Sequence, residues 1–211
     1  MTREELYTFT TSLTGDYQMD ETLFATFLNI AQMYWENKRP WVILRAEDSS
    51  QTISTSNTFE TAKSLPTDFR KWYDRFPISL TDSQGNNYCN PREVPINFRF
   101  ANRQDNNKFY CNYGAGTIFF CGSQPQSLTV HQFYIKKTTL VSASASNSWS
   151  FPSEYHPILG LSVATYWKLG VDYDIINNVQ GNANAGLANA MFQQMAEWDS
   201  DLANSAIQGM D

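Results

Sequence analysis

Charge is scarce in this chain. Charged residues make up 17% of the 211 residues, against roughly 25% in an average soluble domain. Asn, Gln, Ser and Thr replace them, and such side chains lose less solvation free energy than ions when another protein covers them. The low charge favours a protein that works in contact with neighbours, although ordinary variation in composition is an alternative explanation.

Histidine is equally scarce, which limits the chemistry that the chain can perform. The two histidines are His131, inside a strand-like pattern, and His156, at a predicted helix start. Without a G-x-S-x-G motif or a third histidine, the sequence gives no support to a serine-type triad. No pair of carboxylates lies in an apolar pattern that would indicate acid–base catalysis. We therefore predict that the protein is not an enzyme.

Three cysteines, Cys89, Cys111 and Cys121, are too few to form a disulfide framework and cannot all pair within one chain. With His131 they could supply three thiolates and one imidazole to zinc, but no C-x-x-C pair is present and the spacings are wide. We therefore expect buried free thiols in a reducing compartment, no metal site and no cofactor.

Long apolar runs are also absent. No stretch approaches the roughly 18 apolar residues that a membrane-spanning helix needs. The first ten residues, MTREELYTFT, lack the basic segment and apolar run of a secretory signal. The sequence predicts synthesis in a cytoplasm and no membrane partner.

A glycine-rich stretch, Gly181–Gly186, has the glycine spacing of a phosphate-binding loop. Leu187 and Ala188 follow it, so the lysine and the hydroxyl that contact phosphate and magnesium are missing. We interpret the stretch as a flexible loop before a helix.

What the chain does contain is an ordered succession of helical and extended patterns. A capping-box spacing at Thr2 and Glu5 starts one helix, and Asp20 is a suitable N-cap for the next. Alternating and β-branched segments follow, with Leu128–Lys136 predicted as a central strand. Helical periodicity returns after Pro152 and again from about Asn184 to Ala203. These patterns predict an α+β fold in which a helical bundle carries an inserted antiparallel β-rich subdomain, with boundaries at 1–50, 51–150 and 151–211.

Charge is unevenly distributed along this order. Residues 1–62 carry a net charge of −5, residues 63–137 carry +5 and residues 138–211 carry −6. The acidic ends could repel DNA, or could match basic residues of a neighbouring subunit, or could simply be solvated helix faces.

The block order and one short motif carry a resemblance to a known family. An amphipathic helix at Leu23–Trp35 precedes Trp41, extended chain, and a Leu-Pro-x-Asp-Phe motif at Leu65–Phe69. A hairpin at Lys108–Cys121, a strand at Leu128–Tyr134 and two closing helices follow. This arrangement resembles the head-to-tail adaptor, or neck, proteins of tailed bacteriophages.

The resemblance implies a structural virion protein without enzymatic activity. It would form a ring, commonly of twelve copies, docked on the portal protein ring in the neck between capsid and tail. The helical bundle would form the ring body and extend the DNA channel, so that genomic DNA passes without sequence recognition. The β-rich part would face a tail or nozzle protein.

Two groups of residues are candidates for contacts or anchoring. Apolar character continues through Trp198, Leu202, Ile207 and Met210, beyond the end of the predicted last helix. Because a free tail would not need these side chains, we predict that they contact the portal or a neighbouring subunit. The other group, Leu65, Pro66 and Phe69, is predicted to anchor the crossing from helices to sheet.

Two alternatives remain open at this stage. A β-based module that binds carbohydrate or peptide would place aromatic side chains in a groove, and Tyr110, Tyr113 and Trp149 are its candidates. In an adaptor these aromatics would mostly be buried or at subunit contacts. An enzyme of unrecognised type is the second alternative.

Overall fold

The computed structural model describes residues 1–15, 19–55, 60–73, 76–98, 100–101, 104–171 and 179–208. At 169–171, 179–181 and 206–208 only the backbone is described. The fold is α+β, as the sequence predicts. The chain divides into a helical unit, Met1–Ile43 with Thr138–Asp211, and a β unit, Leu44–Lys137.

These boundaries differ from the predicted 51–150. Residues 44–50 belong to the β unit because the first strand begins at Arg45, directly after a short 3₁₀ turn at Val42–Leu44. Residues 138–150, predicted as part of the β-rich subdomain and a linker, belong to the helical unit. Trp149 is 3% exposed there, so this segment is packed.

The helical unit contains four described α-helices: α1 Arg3–Thr14, α2 Glu21–Asn37, α3 Pro157–Val171 and α4 Val179–Gln208. The capping box of α1 is present, with Thr2 accepting from the Glu5 backbone and Glu5 reaching back. Asp20 caps α2 through the Thr22 N–H. Both starts therefore follow from the sequence signals.

Helix α3 is the central helix of this unit, because it packs against α1, α2 and α4. Its residues from Ile158 to Ala164 are buried. Gly160 allows the close approach of α1, since a Cβ at this position would lie 2.5 Å from Phe9 Cδ1. The absence of a side chain here sets the separation of the two helices.

A buried carboxylate ties α2 to the segment that returns from the β unit. Glu36 is 6% exposed and accepts hydrogen bonds from Trp149 Nε1 at 2.9 Å, Gln32 Nε2 at 3.1 Å and the Thr138 hydroxyl. The side-chain oxygen of Gln32, Oε1, in turn accepts a hydrogen bond from the Val141 N–H at 3.0 Å. We call these residues the Glu36 network.

An ion pair ties α4 to the end of the first helical segment. Asp199 is fully buried, and its Oδ1 accepts from the Val42 N–H at 2.7 Å. Its Oδ2 lies 3.3 Å from the Arg39 guanidinium, which also donates to the Ala196 carbonyl at 2.9 Å. A buried charge of this kind needs its partners, so α4 is held in one register at this point.

The β unit contains nine described strands: β1 Arg45–Ile53, β2 Glu60–Ser64, β3 Phe69–Trp72, β4 Ile78–Thr81, β5 Asn87–Cys89, β6 Arg92–Glu93, β7 Lys108–Asn112, β8 Thr117–Cys121 and β9 Leu128–Lys136. One sheet has the order β1-β9-β4-β5, with β3 also paired to β9. The second has the order β2-β8-β7-β6. Strand β9 is central, as predicted.

Most pairs in the β unit are antiparallel, as predicted for the inserted β-rich subdomain. Strand β6 runs parallel to β7 over two residues of each, Arg92 and Glu93 against Lys108 and Phe109. Backbone bonds from Arg92 N–H to Asn107 O and from Val94 N–H to Phe109 O hold the chain extended around β6.

A single apolar core joins the two sheets of the β unit. Side chains from both sheets meet in it: Ile53, Ile78, Leu80, Phe109, Cys111, Ile118, Phe120, Leu128 and Val130. Their alternation along each strand places them on one face.

Candidate assembly surfaces

The predicted contact residues lie on α4, which is longer than predicted. Trp198 is half-buried, with its ring centroid 5.9 Å from that of Tyr155. Leu202 is 38% exposed. Ile207 lies within α4, because the helix continues to Gln208 rather than ending near Ala203; nothing further is described of its side chain. Met210 lies outside the described residues.

The predicted anchor residues lie between β2 and β3, two strands that belong to different sheets. The position predicted for them, a crossing from helices to sheet, is wrong, because the chain enters the β unit at Leu44. Leu65 packs against the apolar core and its N–H donates to Gly116 O at 2.8 Å. Pro66 O accepts from the Phe69 N–H at 3.0 Å, which closes a turn.

Phe69 is the most buried member of this group, at 8% exposure. Its ring centroid lies 4.6 Å from Trp72, 5.9 Å from Tyr134 and 6.1 Å from Tyr113. The Tyr134 hydroxyl donates to Asp68 Oδ1 at 2.8 Å. The aspartate of the Leu-Pro-x-Asp-Phe motif therefore has a defined partner. Burial and the hydrogen bond to this carboxylate raise the pKa of Tyr134.

Helix α2 carries an apolar surface that sequence reasoning missed. Phe24, Leu28 and Trp35 face the interior of the helical unit. The opposite face is also apolar, with Leu23, Ile30, Met33 and Tyr34 exposed at 39%, 48%, 56% and 43%. A groove of about 440 Å³ runs beside Ile30, Met33 and Tyr34. The apolar residues around the whole circumference of α2 were the available signal for a second contact surface.

A second surface that was missed lies in the β unit, where the chain follows β6. Ile96, Phe98 and Phe100 are 48%, 55% and 68% exposed, and Phe76 is 39% exposed. The Arg92 guanidinium lies 5.1 Å from the Phe76 ring centroid. The alternation of Ile96, Phe98 and Phe100 was the available signal, because three large apolar residues at every second position seldom occur in an ordinary loop.

The aromatics proposed for a binding groove do not share one environment. Tyr110 is 1% exposed and stacks on Phe119 at 4.8 Å between ring centroids. Trp149 is 3% exposed and takes part in the Glu36 network, whereas Tyr113 is 54% exposed. Tyr110 and Trp149 cannot contact a ligand from these positions.

The two histidines make structural hydrogen bonds. His131 Nδ1 lies 2.7 Å from Glu47 Oε1, and its Nε2 lies 2.9 Å from Thr81 Oγ1, which links β1, β9 and β4 on one sheet face. His156 is 2% exposed, with Nε2 at 2.6 Å from Phe151 O.

The cysteines are free thiols. Burial raises the pKa of Cys111 to about 12, and burial raises the pKa values of Cys89 and Cys121 to about 11. Such thiols are poor nucleophiles because the thiolate is the reactive form. In the described part of the chain, no three His, Cys, Asp or Glu side chains are arranged to hold a metal ion.

The stretch Gly181–Gly186 is helical and not a loop, because α4 begins at Val179. Most of its backbone N–H groups therefore bond within the helix rather than forming a phosphate-binding loop, since only the first four N–H groups of a helix lack an intrahelical partner. Among the helices of the described ranges, none combines the length and the apolarity that crossing a bilayer requires.

Comparisons with family models and with curated proteins found no relative of this chain.

Proposed function

We propose that the chain is a head-to-tail adaptor of a tailed bacteriophage. It is a structural virion protein that forms a ring, commonly of twelve copies, on the portal protein. The ring extends the DNA channel and provides the platform for a tail or nozzle protein. After synthesis in the host cytoplasm it takes its place in the neck of the virion, without a cofactor, a membrane partner or an enzymatic activity.

The observation that supports this proposal best is the distribution of exposed apolar side chains. Most of them lie on three separate elements: α2, the segment after β6, and α4 with Leu187 at 57% and Leu202 at 38% exposure. Phe76, Tyr113 and Leu140 are exposed elsewhere. Exposed apolar patches commonly mark protein contacts. A ring subunit needs a contact on each side and others along the axis, which agrees with several separate surfaces better than with one.

The charge of the helical unit agrees with a channel wall. It carries 13 acidic and four basic residues, a net charge of −9, whereas the β unit carries 11 basic and eight acidic residues, a net charge of +3. Since DNA phosphates bind to basic surfaces, an acidic helical ring would let the genome pass without holding it.

The alternative of a carbohydrate- or peptide-binding module has less support. It needs Tyr110, Tyr113 and Trp149 at a ligand groove, and two of the three are buried. An adaptor does not require these three aromatic side chains to line a groove.

The proposal predicts a change of assembly state on meeting a portal. Alone, the protein should be monomeric or weakly associated, because its contact surfaces are small and separate. Mixed with the matching portal it should form a ring. Light scattering of each component and of the mixture, followed by electron microscopy, measures this. A stable dimer that ignores the portal would contradict it.

A further inference from the structure

One exposed apolar part of the β unit includes a positive charge. The arginine–aromatic segment consists of Phe76 with Arg92, and of Ile96, Phe98 and Phe100, which follow Arg92 in the chain; all five are exposed. Arg92 lies over the Phe76 ring, and cation and aromatic face together form one surface. The chain alternates Phe98, Arg99 and Phe100, so a further basic residue follows in sequence. Arginine and aromatic side chains are the types most enriched at the energetic centres of protein interfaces.

A second patch, on the helical unit, has the opposite charge. Trp198 and Leu202 are one helical turn apart on α4, and the Trp198 ring packs beside Tyr155. Glu197 and Asp201 form the adjacent row and are exposed. Glu154 is also exposed, next to Tyr155 in the chain. We call this set the α4 acidic surface.

A groove runs along this acidic surface. Its volume is about 280 Å³, and its lining residues are Arg39, Gln193, Ala196, Glu197, Ser200 and Asp201. Arg39 is the one base among them, and its guanidinium is engaged by buried Asp199 and the Ala196 carbonyl. Arg39 is half-buried, whereas Glu197 and Asp201 are exposed, so the rim of this groove is mainly negative.

We propose that the arginine–aromatic segment of one copy docks on the α4 acidic surface of a second copy of this chain. This inference rests on the proposed function, because it assigns the contact between neighbouring copies. Each patch has the charge opposite to the other and an apolar centre, whereas either patch placed against itself would bring like charges together. The contact joins two different patches, so a copy that uses only one of them in a given pair keeps the other for a further copy, and the contact can repeat.

Two variants each disrupt one of the two surfaces of this contact and leave the other intact. Phe98→Glu places a carboxylate in the segment and leaves the α4 acidic surface intact. Glu197→Lys with Asp201→Lys reverses the charge of the α4 acidic surface and leaves the segment intact. All three positions are exposed, so the fold should be unaffected, and Glu4→Lys on α1 is the matched charge-reversal control.

The test is a nuclear magnetic resonance titration near millimolar concentration, because the free protein should associate weakly. When isotope-labelled Phe98→Glu is mixed with the unlabelled variant that carries Glu197→Lys and Asp201→Lys, the Trp198 indole and Leu202 amide signals of the labelled protein should shift. With the labels exchanged, the amides of Ile96 and Phe98 should shift. Neither variant alone should show concentration-dependent shifts, because each lacks one half of the contact. The mixture should form heterodimers and nothing larger, since the two variants can make one intact contact between them.

A charge exchange supplies an independent measurement. Arg92→Glu in one copy and Glu197→Lys in the other should each weaken the mixed contact by about fivefold to tenfold. Combining the two should recover at least half of the loss, as expected for a direct pair. Raising the salt concentration should weaken the wild-type contact.

Several outcomes would overturn the proposal. Unchanged spectra in every mixture, or self-association of either variant as strong as that of the wild type, would exclude this contact. Trp198 shifts that appear only on addition of portal would assign the α4 acidic surface to that partner instead. The adaptor proposal fails on a different result, namely wild-type protein that does not assemble on the portal.

Discussion

In the helical unit, polar and charged side chains lie in the middle of the packing, whereas the β unit is organised around apolar ones. Glu36 and Asp199 are buried and each binds a segment distant in sequence. In the β unit the shared core of the two sheets is aliphatic and aromatic, with one thiol. Hydrogen bonds are directional and apolar contacts are not, so the helical unit is fixed in position by specific pairs and the β unit by shape and volume.

Directional bonds hold the helices of the helical unit in one register, since a shift of register would break the pairs. A unit stabilised by its own apolar core can present a variable outer surface, such as the segment after β6, without losing its fold.

The largest effect on stability is expected at Phe69. Phe69→Ala should lower the free energy of unfolding of the β unit by about 3–5 kcal/mol, because it removes a buried ring from an aromatic cluster. Trp72, the tryptophan of the β unit and 4.6 Å from Phe69, reports this unfolding by fluorescence in urea. Phe98→Ala, exposed in the same unit, is the control and should change stability by less than about 0.5 kcal/mol. An unshifted midpoint for Phe69→Ala would refute its anchoring role.

A smaller loss is expected at Glu36 in the helical unit. Glu36→Gln keeps the shape but removes the charge that strengthens the bonds from Trp149, Gln32 and Thr138. We expect a loss of about 1–3 kcal/mol, measured by circular dichroism of the helices during urea unfolding. The exposed Glu197→Gln is the matched control. Equal effects of the two substitutions would show that the network adds nothing specific.

Alkaline pH should separate the two units. Burial raises the thiol pKa values to about 11 for Cys89 and Cys121 and to about 12 for Cys111. An unfolded thiol titrates near 8.5, so the thiol contribution to stability is complete below that pH and is lost as pH rises towards 11–12. All three cysteines lie in the β unit. The urea midpoint reported by Trp72 should therefore fall more steeply above pH 8.5 than the helical signal, and parallel falls would contradict this.

The smallest effect on stability is expected from the end of α4. Deleting residues 204–211 should leave the melting temperature unchanged, because the described buried positions of α4 end at Asp199. It should abolish portal binding if Ile207 and Met210 contact the portal or a neighbouring subunit. The full-length double variant Ile207→Ser with Met210→Ser distinguishes lost side chains from lost helix. Retained binding in both variants would exclude a docking role for this segment.

The starts of α1 and α2 were predictable because their signals are local. Thr2, Glu5 and Asp20 act within one turn of their own backbone, and the structure places each as the sequence indicates. Strand β9 was predictable for a similar reason, since five of its nine residues are β-branched or aromatic. The starts of α3 and α4 differ from the prediction, because α3 begins at Pro157 and α4 at Val179.

The errors fall where distant contacts override local pattern. The polar stretch before Trp149 has the composition of a linker, yet Asn147 O accepts from the Arg3 N–H and Trp149 binds Glu36. Gly181–Gly186 has loop composition, yet it is part of α4. The exposed face of α2 was hidden by the opposite ambiguity, because an apolar residue on a helix does not reveal which of two faces is buried.

The helical unit is made of two stretches separated by the whole β unit, and this order has a consequence during synthesis. Helix α2 leaves the ribosome long before α3, whose last residue comes 134 positions after the end of α2. At about 5–20 residues per second, that interval is about 7–27 s. The β unit is continuous and can complete its fold within it. Until α3 is synthesised, the apolar faces of the first two helices have no α3 to pack against, so the nascent chain is the stage at which a chaperone protects most apolar surface.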